Sequence, residues 1–418
     1  TRPDAQAYDL LPVIVGMAAA VLVLLPLVRS AKAASAPSEN AATTEPPASP
    51  ETSPQPMGRP GRRTFLRVAA AVGALAAGAG GIGRWLGSRR LGVESSREDL
   101  AAPQALPRDL PEPAVPDGVN VQVPDVAPWR TPNDDFYLID TALSKPLVHP
   151  EDWSLRVHGM VEEELMLSFD DLVSIGLIDR WITLCCVSNQ VGGDLIGNAL
   201  WTGVRTSDVL GMAGPLADAD AVKSTSYDGW NCGTPLEALT DGRDSMFAVA
   251  MNGEPLPVEH GFPVRMVVPG LYGYVSATKW VVNLEVTRFD EFEAYWTQRG
   301  WAERGPVKVQ SRIDVPSSGA GVAAGTVPVA GVAWAQHRGI ERVEVRVDEG
   351  PWQAAELADV PSRDTWRQWV WRWDAEPGDH RLEVRATTTD GEVQTGTAMP
   401  PVPSGATGWH GIEVSVTG

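Results

Sequence analysis

Uncharged apolar runs open this chain, regular two-residue alternation closes it, and the stretch between them is mixed. Residues 10–28 (LLPVIVGMAAAVLVLLPLV) carry no charge and are long enough to span a bilayer core as a helix. The run is apolar all round, which argues against an ordinary buried helix. A second uncharged run, residues 68–83, is rich in Ala and Gly. From Pro132 to about Phe292, short β-rich runs (153–157, 247–251, 264–268) alternate with Gly/Pro turns and short helical pieces. Ser168 ahead of Phe169-Asp170-Asp171-Leu172 predicts an N-capped short helix. The expectation is an α+β domain. After about Gly305 the alternation is regular in 343–347, 382–386 and 412–416, with Asp-Gly-type turns between. That pattern predicts an immunoglobulin-like antiparallel β-sandwich, with Trp366, Trp369, Trp371 and Trp373 packing along one strand.

The segments between these patterns read as linkers. Residues 30–61 are rich in Ala, Ser, Pro and Glu and read as a disordered linker, and 92–128 as a Pro-rich, acidic segment wrapping a surface without regular structure. The expected order is a membrane helix in 1–29, the linker, a signal or anchor helix in 62–91, the connecting segment in 92–128, a domain in 129–300 and the sandwich in 301–418. Because the chain opens at Thr1 without a Met, the first helix is expected to end a longer membrane region.

Charge sharpens this order. Residues 1–91 hold ten Lys/Arg against five Asp/Glu, whereas the remainder holds 24 against 48. An acidic body excludes nucleic acid, which needs a basic footprint. Arg29 and Lys32 follow the first apolar run, so its C-terminal end is expected on the cytoplasmic side. Gly61-Arg62-Arg63-Thr64-Phe65-Leu66-Arg67 followed by the second run looks like a twin-arginine export signal; the other reading is a plain second anchor with basic flanks. Both place the chain beyond about residue 92 outside the cytoplasm. Twin-arginine export carries folded proteins, commonly after a cofactor has been received.

The cysteines suggest a cofactor independently. There are three in 418 residues, Cys185 and Cys186 being adjacent in Thr183-Leu184-Cys185-Cys186-Val187-Ser188-Asn189. Neighbouring cysteines do not readily bridge each other, and no CxxC metal pair occurs. Two readings stand: small buried hydrophobes, or a thiolate presented after a short apolar strand as the single soft ligand of a metal held mostly by a non-protein group. There is no Walker loop, GxGxxG or HExxH.

Several ordered patches resemble the sulfite oxidase family of molybdopterin-dependent oxidoreductases. Thr131-Pro132-Asn133 with Phe136-Tyr137 resembles its TPNxxFF entry, and Thr183-Leu184-Cys185-Cys186 its TLxC. Trp201-Thr202-Gly203-Val204 with Asp208-Val209-Leu210, then Met251-Asn252-Gly253-Glu254-Pro255-Leu256-Pro257, His260-Gly261-Phe262-Pro263-Val264-Arg265 and Lys279-Trp280 follow in the family's order. The resemblance implies a sulfite-oxidase-like cofactor domain followed by the family's dimerisation domain, and hence a possible homodimer. It implies a molybdenum–molybdopterin cofactor with Cys186 as metal ligand and Cys185 at the variable position. Cofactor contacts are implied at Tyr137, Asp228, His260, Arg265, Ala277, Thr278 and Lys279; those at Tyr137 and Asp228 rest on looser alignment. A buried arginine can meet the anionic phosphate tail bidentately, a lysine as a point charge and a histidine as a donor.

The departures bear on substrate. Sulfite-oxidising members of the family carry arginines where this chain has Ile139 and Gln190, and the loop with Tyr272 and Tyr274 is a residue longer and lacks the usual arginine. A small substrate other than sulfite is therefore expected, such as a sulfoxide, an N-oxide or another oxygen acceptor. Whether Tyr272 and Tyr274 line the pocket or pack stays open. Without CxxCH or a cytochrome b5-like domain, no haem is expected in this chain, and the electrons are expected to pass through a partner protein or a quinone. A cofactor-free tethered binding module and a genuine sulfite oxidase are the competing readings.

Overall fold

The computed structural model describes residues 112–418, together with Gly78, Arg90, residues 92–98 and Leu100. The expected membrane helix, the linker and the twin-arginine segment lie outside these residues, apart from Gly78 and Arg90. Among the described residues no helix is long and apolar enough to cross a membrane.

Two sheets build the first domain. One has the order β2-β1-β10-β5-β6 and comprises Ser154–Gly159 (β1), Leu165–Ser168 (β2), Ala221–Ser226 (β5), Asn231–Pro235 (β6) and Val281–Thr287 (β10). The other has the order β3-β4-β7-β8, from Ile178–Cys185 (β3), Ile196–Arg205 (β4), Met246–Met251 (β7) and Glu254–Pro255 (β8), with Arg265–Val267 (β9) on β7. β4 and β7 are buried almost throughout, because both faces of this sheet are covered. Helices are fewer than an α+β reading suggests: Phe169–Ser174 (α1), Thr206–Ala213 (α2) and Leu236–Thr240 (α3) are each no longer than about two turns. Ser168 caps α1 in a capping box with Asp171, so the local signal held even in a helix this short.

The second domain is a sandwich. Its four-stranded sheet takes the order β11-β13-β17-β16, from Gln310–Val315 (β11), Gly325–Trp334 (β13), Glu356–Leu357 (β16) and Arg367–Ala375 (β17). The facing sheet takes the order β12-β19-β18-β14-β15, from Ala320–Ala323 (β12), Ile340–Val347 (β14), Gln353–Ala354 (β15), Gly378–Thr388 (β18) and His410–Thr417 (β19). Val343, Val345, Leu382, Val384, Val414 and Val416 meet Trp369, Trp371 and Trp373 in one core. The strict alternation of β19 follows from burying one face only. One pairing departs from the antiparallel expectation: β12 runs parallel to β19, because the segment after β11 returns along the edge of the facing sheet. Trp366 packs into the core of the first domain instead, and its indole N–H donates to Trp129 O at 2.8 Å.

The connecting segment is partly regular, contrary to expectation. Residues 92–98 are helical. Val93 is buried there, and Arg97 Nε donates to Pro255 O and Leu256 O at 3.1 and 3.0 Å, so one apolar anchor and one arginine hold the turn in place. Residues 112–128 run along the sandwich, where Gln368 Nε2 donates to Ala127 O and Val121 N to Gln368 Oε1.

Candidate active-site cleft

β3 ends at Cys185 and Cys186 follows it directly, and the two side chains part there. Cys185 turns into the apolar core, 1% exposed, while Cys186 lines a cleft. All three cysteines are free, and Cys232 is buried beside Ser224 and Thr278. Burial pushes the Cys186 thiol up, opposed by the Ser188 backbone N–H that donates to Sγ at 3.4 Å. Burial and then the neighbouring Cys186 push Cys185 higher still. Among the described residues, no group of three or more His, Cys, Asp or Glu is arranged to hold a metal. A metal at Cys186 would draw its other ligands from a non-protein group.

Opposite this thiol the cleft wall carries buried positive charge. Arg265, on β9, is 4% exposed and packs 5.0 Å from the Trp201 ring, which covers one face of the guanidinium. Its hydrogen bonds go to carbonyls, Nη1 donating to His260 O at 3.2 Å, and among the described residues it has no carboxylate partner. Burial brings its pKa down to about 10, so it stays charged at neutral pH. Lys279 is also buried, but donates to Asp140 Oδ2 and Glu259 O, both at 2.9 Å. Burial takes its pKa to about 8, with Asp140 opposing that shift. Lys145 reaches both oxygens of Asp140, at 2.7 and 2.6 Å. Burial raises the Asp140 carboxyl, yet Lys279 and Lys145 outweigh it and hold it below the usual carboxylate range. Around Asp140 two ammonium groups and one guanidinium thus stand against one carboxylate, the other carboxylate of the lining, Asp228, being exposed.

His260 lies behind this wall. Its Nε2 bonds Asn133 O at 3.1 Å, its Nδ1 has no hydrogen-bond partner, and burial followed by Arg265 drives its pKa down to about 3. With a carbonyl at Nε2 the ring carries its proton there and leaves Nδ1 as a free acceptor. Asn133 is fixed in turn by Asn252, which sits at φ 54° and donates to Asn133 Oδ1 and Thr131 O at 2.8 and 2.9 Å. The TPN and MNG patches are thereby one hydrogen-bonded unit.

Of the other expected contacts, Tyr137, Asp228 and Ala277 line the cleft together with Cys186, Arg265 and Lys279. Asp228 is exposed at its edge and accepts from Trp230 N at 3.2 Å. Thr278 does not reach it: its side chain points inward, where its hydroxyl lies 2.6 Å from Ser224 Oγ. Its two neighbours, Ala277 and Lys279, are the ones on the lining. After Lys279 the backbone takes a left-handed turn at Trp280, φ 49°, a conformation that costs a bulky residue about 1–2 kcal/mol.

The sequence reading did not name several residues here. Ser226 lines the cleft with a buried hydroxyl that has no partner, and Asp140 pairs with Lys279. Trp230, Trp296 and Trp301 close the mouth with Tyr274, whose ring lies 5.7 Å from Trp301. Trp296 and Trp301 lie beyond the last expected strand and are brought back by the turn Thr297–Arg299 and by Gly300 at φ 88°. A Trp-Thr-Gln-Arg-Gly-Trp run was the available signal. Ile139 sits exposed on the lining, whereas Gln190 is exposed outside it. Tyr274 lines the cleft and donates to Ala302 O at 2.8 Å; Tyr272 is buried away from it, against Lys308 and Gly405.

Comparisons with known proteins agree with this geometry. Residues 142–296 match the family model described as an oxidoreductase molybdopterin binding domain. The mitochondrial sulfite oxidase of Mus musculus is 32% identical over 342 residues, which are 69% of this chain and 62% of that protein's length. An uncharacterized oxidoreductase of Bacillus subtilis (strain 168), YuiH, is 33% identical over 171 residues, 39% of this chain and 83% of the relative. The crystal structure of the sulfane dehydrogenase SoxCD from Paracoccus pantotrophus is similar in fold, with a TM-score of 0.57 and 22% identity over 69% of this chain and 85% of that one.

Proposed function

This chain belongs to the sulfite-oxidase-like molybdopterin oxidoreductases, and from that premise we propose that it is a molybdenum enzyme acting by two-electron oxo transfer on a small organic substrate. The observation that carries the proposal is a cleft joining the one cysteine that leaves the core, Cys186, to a buried arginine, Arg265, that has no carboxylate in contact among the described residues. A buried cation without a carboxylate costs stability, and an anionic ligand would remove that cost.

The residues fit the group. Cys186 would supply the protein's thiolate, Arg265 and Lys279 would meet its phosphate, and the Ser226 hydroxyl on the lining is open for its polar edges, with His260 Nδ1 a second open acceptor buried behind that lining. When bound, the group supplies the metal that accepts or donates an oxygen atom with two electrons. The chain's own part is to hold that group and sort what reaches it. His260, kept neutral, accepts a hydrogen bond without adding charge, while Asp140 keeps Lys279 protonated. Trp230, Tyr274, Trp296, Trp301 and Ile139 make the mouth apolar, which favours a neutral substrate bearing alkyl or aryl groups over an inorganic oxyanion.

We read the rest of the assembly in the same frame. The apolar runs and the twin-arginine pattern support a membrane tether with the cleft outside the cytoplasm, near a cytochrome or quinone that exchanges electrons. The sandwich is the candidate surface for a homodimer. Metal analysis of protein made in a cofactor-competent host tests the central claim. Wild type and Cys185→Ser are expected to hold molybdenum and turn over, and Cys186→Ser to hold the metal poorly and not turn over. An active, metal-loaded Cys186→Ser protein would overturn the assignment, and metal-free wild type would favour a binding module. Sulfite is the second reading, favoured by the name of the mouse relative. Rapid turnover of sulfite with an artificial acceptor, and none of sulfoxides or N-oxides with an artificial donor, would decide for it.

A further inference from the structure

Resting on the reading of Cys186 as metal ligand, we propose that the C-terminal sandwich clamps the ligand-bearing segment, with Arg312 and Gln336 as positioning residues. β3 is an edge strand that pairs with β4 alone among the described strands. The outward N–H and C=O of such a strand are unpaired, and an edge held by water frays. Here the sandwich takes them. Thr183 N donates to Asp364 O at 2.9 Å, Gln336 Nε2 donates to Thr183 O at 3.0 Å, and Trp366 N donates to the Thr183 hydroxyl at 2.8 Å. Gln336 and Trp366 are both buried, so water does not compete for these bonds.

The segment after Cys186 is held from the same side. Inside the loop, Cys186 N donates to Leu195 O at 2.9 Å, and Asn189 Oδ1 accepts from Leu195 N at 2.9 Å. Its tip rests on the sandwich: Arg312 Nη1 donates to Gly193 O at 2.8 Å while Arg312 Nε pairs with Asp314 at 2.6 Å. The other Asp314 oxygen accepts from Ala127 N at 3.0 Å. Gly192, at φ 76°, lies so close to His410 that a Cβ there would run into the ring, and His410 Nδ1 accepts from Ile313 N at 3.0 Å. Cys186 therefore sits between two anchors, three residues after the one at Thr183 and seven before the one at Gly193. Neither Arg312 nor Gln336 lines the cleft. A thiolate that must meet a metal at bond length tolerates little displacement, so fixing both flanks sets the ligand's position.

Alkylation of Cys186 by iodoacetamide in the cofactor-free full chain, located by mass spectrometry, tests the clamp without needing the metal. Arg312→Ala and Gln336→Ala are each expected to raise the Cys186 rate about tenfold, the factor that follows from losing one good hydrogen bond. Arg312→Lys cannot serve Gly193 and Asp314 as a fork, and is expected to raise it about threefold. It also serves if Arg312→Ala does not fold. Arg372→Ala, on an exposed pair with Glu356, is the control and should match wild type. In the loaded protein the same variants should shift the sulfur-to-molybdenum absorption band, which a loss of global stability alone would not move. Alkylation rates and bands equal to wild type in Arg312→Lys and Gln336→Ala would overturn the clamp. A wild type without that band would instead overturn the metal reading, and the alkylation rates would still judge the clamp.

Discussion

The two domains bury polar groups in opposite ways. Every buried charged side chain among the described residues, Asp179, Arg265 and Lys279, lies in the first domain, as does the buried His260. The sandwich interior buries only neutral polar groups, of which Gln394 is the clearest: Oε1 accepts from Ser311 Oγ and Ala386 N, and Nε2 donates to Gly408 O. A satisfied amide specifies packing at small cost, whereas a buried cation without a carboxylate is a cost that folding alone would not retain. The first domain therefore gives up stability at the cleft by burying charge, a cost the sandwich does not carry.

Two substitutions should pull this comparison furthest apart. Trp369 is fully buried between the sheets, and Trp369→Ala should cost about 3–5 kcal/mol. In chemical denaturation this is the largest loss, while molybdenum content per folded chain stays near wild type. Arg265→Met should do the reverse. It removes the buried charge and keeps apolar contact with Trp201, so the cofactor-free protein should be as stable as wild type or gain ~1 kcal/mol. Cofactor content should fall to background. A large loss of stability in Arg265→Met would show that the arginine serves the fold.

Asp140 tests the cleft from its other sign. It neutralises part of the charge of Lys279 and Lys145, so Asp140→Asn leaves a buried ammonium without its carboxylate. Breaking such a pair from one side costs about 3 kcal/mol. The expected result is a lower denaturation midpoint for the cofactor-free variant, reversed in Asp140→Asn/Lys279→Met, where the stranded charge is gone too. A midpoint unchanged in the single variant would mean that water reaches Lys279.

This division also explains what could be read from the residues. β14, β18 and β19 were legible because each buries one face, so periodicity and packing coincide. The Cys185/Cys186 choice came from the TLxC frame, and at the end of β3 the first side chain lies in the core while the second lines the cleft. Tyr272 and Tyr274 lie in an irregular loop around the turn Gly273–Val275, where two-residue spacing carries no information about facing. Trp296 and Trp301 enter the mouth through a turn set by Gly300, and Asp140 finds Lys279 across 139 residues. Contacts of that kind depend on the assembled sheets. The inward facing of the Thr278 side chain was illegible for a related reason: a motif assigns a stretch to the cleft, but the fold decides which of its side chains arrive.

His260 supplies the smallest and cleanest test, because its cost appears only with pH. Its folded pKa is brought down to about 3 by burial and then by Arg265, against about 6.5 in the unfolded chain. The unfolded state therefore takes up a proton first as pH falls. Stability from this residue is fully present above about 6.5 and is lost progressively from there down to about 3, at ~1.4 kcal/mol per pH unit. Other groups titrate in the same window, so the useful quantity is a difference. His260→Gln keeps an N–H donor for Asn133 O and cannot take up the proton. Between pH 7.5 and 5.5, cofactor-free wild type should lose about 1.4 kcal/mol more than the variant, measured by urea denaturation at each pH. A difference of zero would mean that the ring is protonated with little cost. It would then be charged beside Arg265 and Lys279, four cations would stand around the Asp140 carboxylate, and the neutral-acceptor role given to Nδ1 would have to be abandoned.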